Sequence, residues 1–204
     1  MLHHPKGEPV RVELSVFGAH QVSNALAAAA VGIELGIDAA TVAASLSSHV
    51  AASVNRMDVR TRASDGVTII NDSYNANPES MRAGIDALAY TAKGRRGAES
   101  WAVLGQMGEL GEDASEEHEE LGRVLAQRRI DHAVIVGNGV NQHALATEAR
   151  ESGVDTHIVE NIDGAVNYLD MSLNPQDVVL IKASYSDGLW AVAEGLLIGE
   201  DQGV

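Results

Sequence analysis

The chain has 204 residues, 45% hydrophobic and 21% charged, with 14 Lys+Arg against 29 Asp+Glu and a formal net charge of −15. That composition supports a packed core and argues against disorder, while the negative field and a set of only two Trp, four Tyr and one Phe argue against a nucleic-acid partner. Cysteine is absent, which excludes disulfides and thiol chemistry; with no apolar run near the ~20 residues that span a bilayer and no signal-peptide h-region at the start, a cytoplasmic protein without membrane insertion is expected.

In chain order, residues 10–16 (Val-Arg-Val-Glu-Leu-Ser-Val) alternate apolar and polar, which predicts a half-buried strand. An Ala-rich helix is expected over about 20–35, closed by Gly36, and a second from the N-cap Asp38 to about 48. Asn55-Arg56 interrupts the helical pattern. Two strands, 57–62 and 67–71, follow, joined through the hairpin signal Asp65-Gly66. From Pro78 the units alternate: helix 78–92, strand 101–104, helix 115–129, strand 133–136, helix 140–151, strand 156–159, helix 162–170, strand 178–181 and a helix ending near Leu197. Strands alternating with helices of this length imply an α/β fold with a mostly parallel sheet covered on both faces. The segment before Asn55-Arg56 offers one strand and two helices, too little for a core of its own, and reads as the tail of a domain.

Candidate chemistry collects where strands end. Asn71-Asp72-Ser73-Tyr74-Asn75-Ala76-Asn77-Pro78 sits between a strand and a helix, at the carboxyl edge where α/β sheets bind ligands. A carboxylate there can accept both hydroxyls of a ribose, and Asn75 and Asn77 can donate and accept in the same turn. The alternative is that Asn77-Pro78 only starts a helix and Asp72 only caps a turn. His20 and Asn24 share a face at a Gly-marked helix start, suited to a nucleotide or simply to capping. Gly105-Gln106-Met107-Gly108-Glu109-Leu110-Gly111 lets backbone approach a ligand or another domain closely. The next helix has capping-box spacing at Asp113…Glu116 and a basic end at Arg128-Arg129; its Glu116, Glu117, Glu119 and Glu120 read as a solvated face, with His118 at the surface among them. Gly137-Asn138-Gly139 begins a dinucleotide fingerprint, but Gln142 takes the third glycine's place, so it reads as a tight turn. Lys182-Ala183-Ser184-Tyr185-Ser186-Asp187 follows the last strand and could grip an anion. No Gly-Lys dipeptide occurs, so the chain has no phosphate loop.

Together these segments resemble the Mur ligases of peptidoglycan synthesis, most closely the D-alanyl-D-alanine-adding, MurF-type members. The order G-x-H-x-x-x-N-A-L-A-A, R-M-[ED] (Arg56-Met57-Asp58), N-D-x-Y-N-A-N-P-x-S-M, L-G-x-M-x-E-L-G and K-[GA]-S runs through essentially the whole chain. The resemblance implies that residues 1–56 are the end of a central ATP-binding domain and 57–204 the Rossmann-like C-terminal domain, with ATP lying between the two domain types. It further implies that Asn24 packs on the adenine, Arg56 reaches the ribose-phosphate region and Asp72 holds the ribose, with Tyr74, Asn75 and Asn77 lining the same cleft. Lys182 and Ser184 match the region facing the incoming dipeptide. The implied substrates are UDP-N-acetylmuramoyl-tripeptide and D-Ala-D-Ala, with ATP and Mg2+; the phosphate loop and the magnesium ligands of the family lie upstream of the matching segments, so this chain alone is expected to be inactive. Gln21, Asn55, Gln106 and Tyr185 depart from the family pattern, where Asn, Gly, Asp and Arg are common. A tyrosine cannot make the bidentate bond to a carboxylate that an arginine makes. A folylpolyglutamate synthase-type ligase and a non-catalytic nucleotide-binding module are the alternatives.

Overall fold

The computed structural model describes residues 1–3, 8–16, 20–49 and 55–198. Contacts divide the chain into two units, Met1–Met57 and Asp58–Val204.

The first unit carries helices α1 (His20–Glu34) and α2 (Ala39–Ser48). Asp38 caps α2, its carboxylate accepting the Thr41 N–H at 3.0 Å. Gly18 and Ala19, which precede α1 in the sequence, and the His20 side chain lie outside the described residues. The expected strand over 10–16 is not one: Val10 makes an antiparallel bridge to Leu2, and among the described residues no ladder continues beyond it. The alternation nevertheless marks a face, since Val12, Leu14 and Val16 are half-buried while Arg11, Glu13 and Ser15 are exposed. Period two reports which side is covered; a strand also needs a neighbour to bond. At the end of the unit Asn55 and Met57 have φ of 58° and 48°. Asn tolerates this left-handed conformation better than most residues, which accounts for an asparagine where the resembling family uses glycine.

The second unit is a six-stranded sheet in the order β1-β2-β6-β3-β4-β5. Its strands are β1 (Asp58–Thr61), β2 (Thr68–Asn71), β3 (Ser100–Leu104), β4 (His132–Val136), β5 (Asp155–Val159) and β6 (Val178–Lys182). Only β1 runs antiparallel, paired with β2 through a hairpin in which Gly66 takes φ +78°. Helices α3 (Pro78–Lys93), α4 (Ala114–Gln127), α5 (Val140–Glu151), α6 (Ile162–Ser172) and α7 (Trp190–Leu197) connect the strands. Helices α3, α4 and α5 form one layer, and α6 and α7 pack together in the other. On the α6–α7 side, Ile69, Val103, Val134, Val179 and Ile181 meet Ala165, Leu169 and Val192 in one continuous core. All five residues of β3 and of β6 are buried, as expected for central parallel strands covered on both faces.

The start of α4 departs from the sequence expectation. A 3-10 turn, Gly111–Asp113, leads into it, and Asp113 makes no side-chain cap bond. With φ −82° and ψ 0° it is already turned, whereas a capping side chain works from extended backbone. The helix also stops at Gln127, and Arg128 pairs with Asp86 of α3 rather than serving the helix end.

Candidate functional site at the carboxyl edge

The helices after β2 and β3 lie on one face and the helix after β6 on the other, so the chain diverges at the carboxyl end of β6, the type of place where open α/β sheets hold ligands. Register builds the site there. Asn71 of β2 lies opposite Ile181 of β6, and the Asp72 N–H donates to the Ile181 carbonyl at 2.9 Å. The next pair is therefore Asp72 and Lys182, both on the α3 face. The Lys182 ammonium donates to Asp72 Oδ2 at 2.6 Å, to the Asp72 carbonyl at 3.3 Å and to the Asn75 carbonyl at 2.8 Å. Lys182 is 2% exposed and Asp72 8%.

Asn77 caps α3 in a reciprocal box with Ser80, and Pro78 takes the first helical position. Such a cap contributes about 1 kcal/mol. Asn75 Oδ1 accepts the Ala76 N–H, and Asn75 and Asn77 are both exposed. Tyr74 meets Tyr185 edge to face at 5.9 Å, and Tyr185 lies 4.8 Å from Trp190, so the residue in the family's arginine position joins an aromatic row. Tyr74 and Tyr185 remain 42% and 59% exposed. In the first unit Asn24 is exposed and donates to Gln21 Oε1 at 3.1 Å, and Arg56 is exposed between the two positive-φ residues.

The glycine-rich loop after β3 approaches its own unit's β6–α7 segment. Four successive amides are engaged: Gly105 N–H donates to the Lys182 carbonyl, Gln106 N–H to Asp187 Oδ2, Met107 N–H to His118 Nε2 and Gly108 N–H to Ser184 Oγ. With those donors in use the loop is no phosphate cradle in this conformation. A Cβ on Gly105 would stand 2.4 Å from Asp187 Oδ2 and 2.7 Å from the Ala183 Cβ, so the contact requires glycine. Ser184 is buried, accepting from Gly108 while its own N–H donates to the Gln106 carbonyl.

His118 is a participant that sequence reasoning missed, and Asp187 was noted there only as the end of the 182–187 segment, without a role of its own. His118 was expected at the surface and is fully buried. The signal was available: His118, Leu121, Gly122 and Leu125 share the buried stripe of α4, at helical spacing. Because Nε2 accepts from Met107, the proton sits on Nδ1, which donates to the Ala114 carbonyl at 2.6 Å. Burial is the largest influence and lowers the pKa below 6.5; the Ala114 carbonyl, Asp187 and Glu117 oppose it without cancelling it. Below pH 6.5 the unfolded chain gains a proton that the folded ring resists. Stability from this residue is thus complete above that pH and is lost as pH falls toward the lowered folded value. The slope for one proton is at most about 1.4 kcal/mol per pH unit. Urea midpoints between pH 5 and 7 should show a steeper acid-side decline for the natural chain than for His118→Gln, and equal slopes would refute the assignment.

Residues 55–185 match the family model described as Mur ligase, glutamate ligase domain. The chain is 44% identical over 208 residues to the UDP-N-acetylmuramoyl-tripeptide--D-alanyl-D-alanine ligase of Mycobacterium leprae, covering 96% of this chain and 40% of the relative. Among solved structures, a MurF from Acinetobacter baumannii superimposes with a TM-score of 0.78 at 29% identity, covering 96% of this chain and 41% of that one. The MurF ligase of Thermotoga maritima in complex with ADP gives 0.72 at 28% identity, with 95% and 42% covered. The chain thus spans about 40% of the length of the curated relatives it matches. A match through strands, turn and last-strand motif, on a fold shared with those structures, has one reading: the chain belongs to the Mur ligase family.

Proposed function

We propose that this chain is part of an ATP-dependent ligase that adds D-alanyl-D-alanine to UDP-N-acetylmuramoyl-tripeptide. The carrying observation is the buried Asp72 carboxylate at the carboxyl edge of β2, opening a Y-N-A-N-P turn in a chain 44% identical to a ligase of that name. In the proposed reaction ATP phosphorylates the tripeptide carboxylate. The dipeptide amine attacks the acyl phosphate, an amide forms, and ADP and phosphate leave. Asp72 accepts the ribose hydroxyls, Tyr74, Asn75 and Asn77 shape the same turn, and Asn24 and Arg56 of the first unit serve the adenine and the ribose-phosphate region. Of Lys182 and Ser184, the two positions that match the acceptor side of the family, Ser184 is proposed for the dipeptide.

The residues that transfer the phosphoryl group are placed outside this chain. No phosphate loop occurs in the sequence, and among the described residues no group of three or more His, Asp or Glu could hold a metal ion. A bound Mg2+ would offset phosphate charge in the complete enzyme, on ligands the proposal places upstream of the segments matched here. Nor is any described helix long and apolar enough to cross a membrane; a cytoplasmic location is part of the proposal.

The full-length protein carrying these residues should form one amide per ATP consumed when given the UDP-linked tripeptide and D-Ala-D-Ala, read by product mass and ADP release. The 204-residue chain alone should give neither. Turnover by the chain alone, or use of glutamate in place of the dipeptide by the full-length protein, overturns the reading.

A further inference from the structure

We propose that Lys182 is a positioning residue, aiming and charge-balancing the Asp72 carboxylate and pinning the 74–77 turn, rather than a contact to the incoming dipeptide. The inference rests on the reading of Asp72 as the ribose contact. The Lys182 ammonium has three donors, and among its partners are Asp72 Oδ2, the Asp72 carbonyl and the Asn75 carbonyl. The two carbonyls bracket the start of the turn, so one cation fixes both the carboxylate and the backbone that follows it.

The stem is held as firmly as the head. Lys182 ends a strand bonded on both sides, its carbonyl accepting from Gly105. Helix α3 closes over the methylenes: a Cβ on Gly84 would stand 3.1 Å from Lys182 Cδ. Swinging the ammonium toward a substrate would strip Asp72, itself buried, of its cation, a costly exchange in a low-dielectric setting. Lys182 therefore acts on nucleotide binding through Asp72.

A double-mutant cycle in the full-length enzyme tests this, with ATP KM, D-Ala-D-Ala KM and kcat measured for Lys182→Met, Asp72→Asn and the pair. Lys182→Met should raise the ATP KM about tenfold and leave the dipeptide KM within about twofold. In the Asp72→Asn background the same change should add little, because its route is already cut. Lys182→Met alone takes the cation from a buried carboxylate and is the variant most at risk of not folding; Asp72→Asn keeps an acceptor oxygen for the ammonium, and its comparison with the uncharged pair then carries the test. Equal ATP KM values in those two variants support the inference. It is overturned by a dipeptide KM that rises about tenfold on removing Lys182, or by effects on ATP KM that multiply. An unchanged ATP KM in Asp72→Asn instead defeats the ribose reading underneath, a separate and recognisable result.

Discussion

Replacing Asp72 by alanine in the full-length protein should raise the ATP KM about tenfold or more, because each charge-assisted hydrogen bond that the proposal gives it to the ribose is worth roughly 1.5–3 kcal/mol. The ion pair adds a second effect. Lys182 would be left 2% exposed with two carbonyls as its remaining named acceptors. Breaking one side of a buried pair costs about 3–5 kcal/mol, so the unfolding midpoint should fall as well. Asp72→Asn keeps the volume and one acceptor oxygen, and should show the same ordering in milder form. The two readings of Asp72 separate in the kinetics. A structural carboxylate gives a less stable enzyme with an unchanged ATP KM, and that result would end the ribose proposal. ATP titrations at saturating tripeptide and dipeptide, at a temperature well below the variant's midpoint, make the distinction.

Periodicity carried most of the second unit's fold. Short continuous apolar runs such as Val178-Val-Leu-Ile, set between helical segments, fit central strands in a sheet covered on both faces, and β6 is one. What periodicity does not encode is strand order. Lys182 and Asp72 are 110 positions apart and became neighbours because β6 inserts between β2 and β3. Each residue was legible as a carboxyl-edge candidate; their pairing, and with it Lys182's burial, was not. His118 failed for another reason. Acidic neighbours suggested a solvated face, while its place in the 118–121–125 stripe pointed inward, and the stripe decides burial. At residues 10–16 the pattern named the covered side correctly and the strand wrongly, since a ladder depends on what lies beside the segment. Asn77 was read two ways from sequence, and the cap it forms with Ser80 shows its local duty, which leaves its exposed amide able to serve a ligand as well.

Amides of α1 and α2 should exchange at least about a hundredfold faster than those of β2, β3 and β6 in a dilute sample of the chain, a spread within the normal range between local opening and global unfolding. The difference follows from what each unit buries. In the first, Leu2, Ala29 and Val42 form the buried cluster, with Val12, Ile33 and Leu46 packed against it. Val22, Leu26, Val31, Leu35 and Ile37 stay exposed. The alanines of α1 remove little apolar area from water at ~25 cal/mol per Å². That is set against ~1–2 kcal/mol of backbone entropy for each ordered residue. The described start of this unit is tied by the Leu2–Val10 bridge and by the Glu13 N–H, which donates to Ser47 Oγ of α2. In the second unit β6 is hydrogen-bonded on both sides and buried at every residue, so its amides open only when the sheet does. Hydrogen exchange followed by mass spectrometry across a concentration series reads the contrast directly. Rising protection of α1 with concentration would mean that its exposed apolar residues meet a second copy, which leaves the dilute limit as the test. Uniform strong protection from Val10 through Leu197 in that limit would show one cooperative fold and refute the expected division.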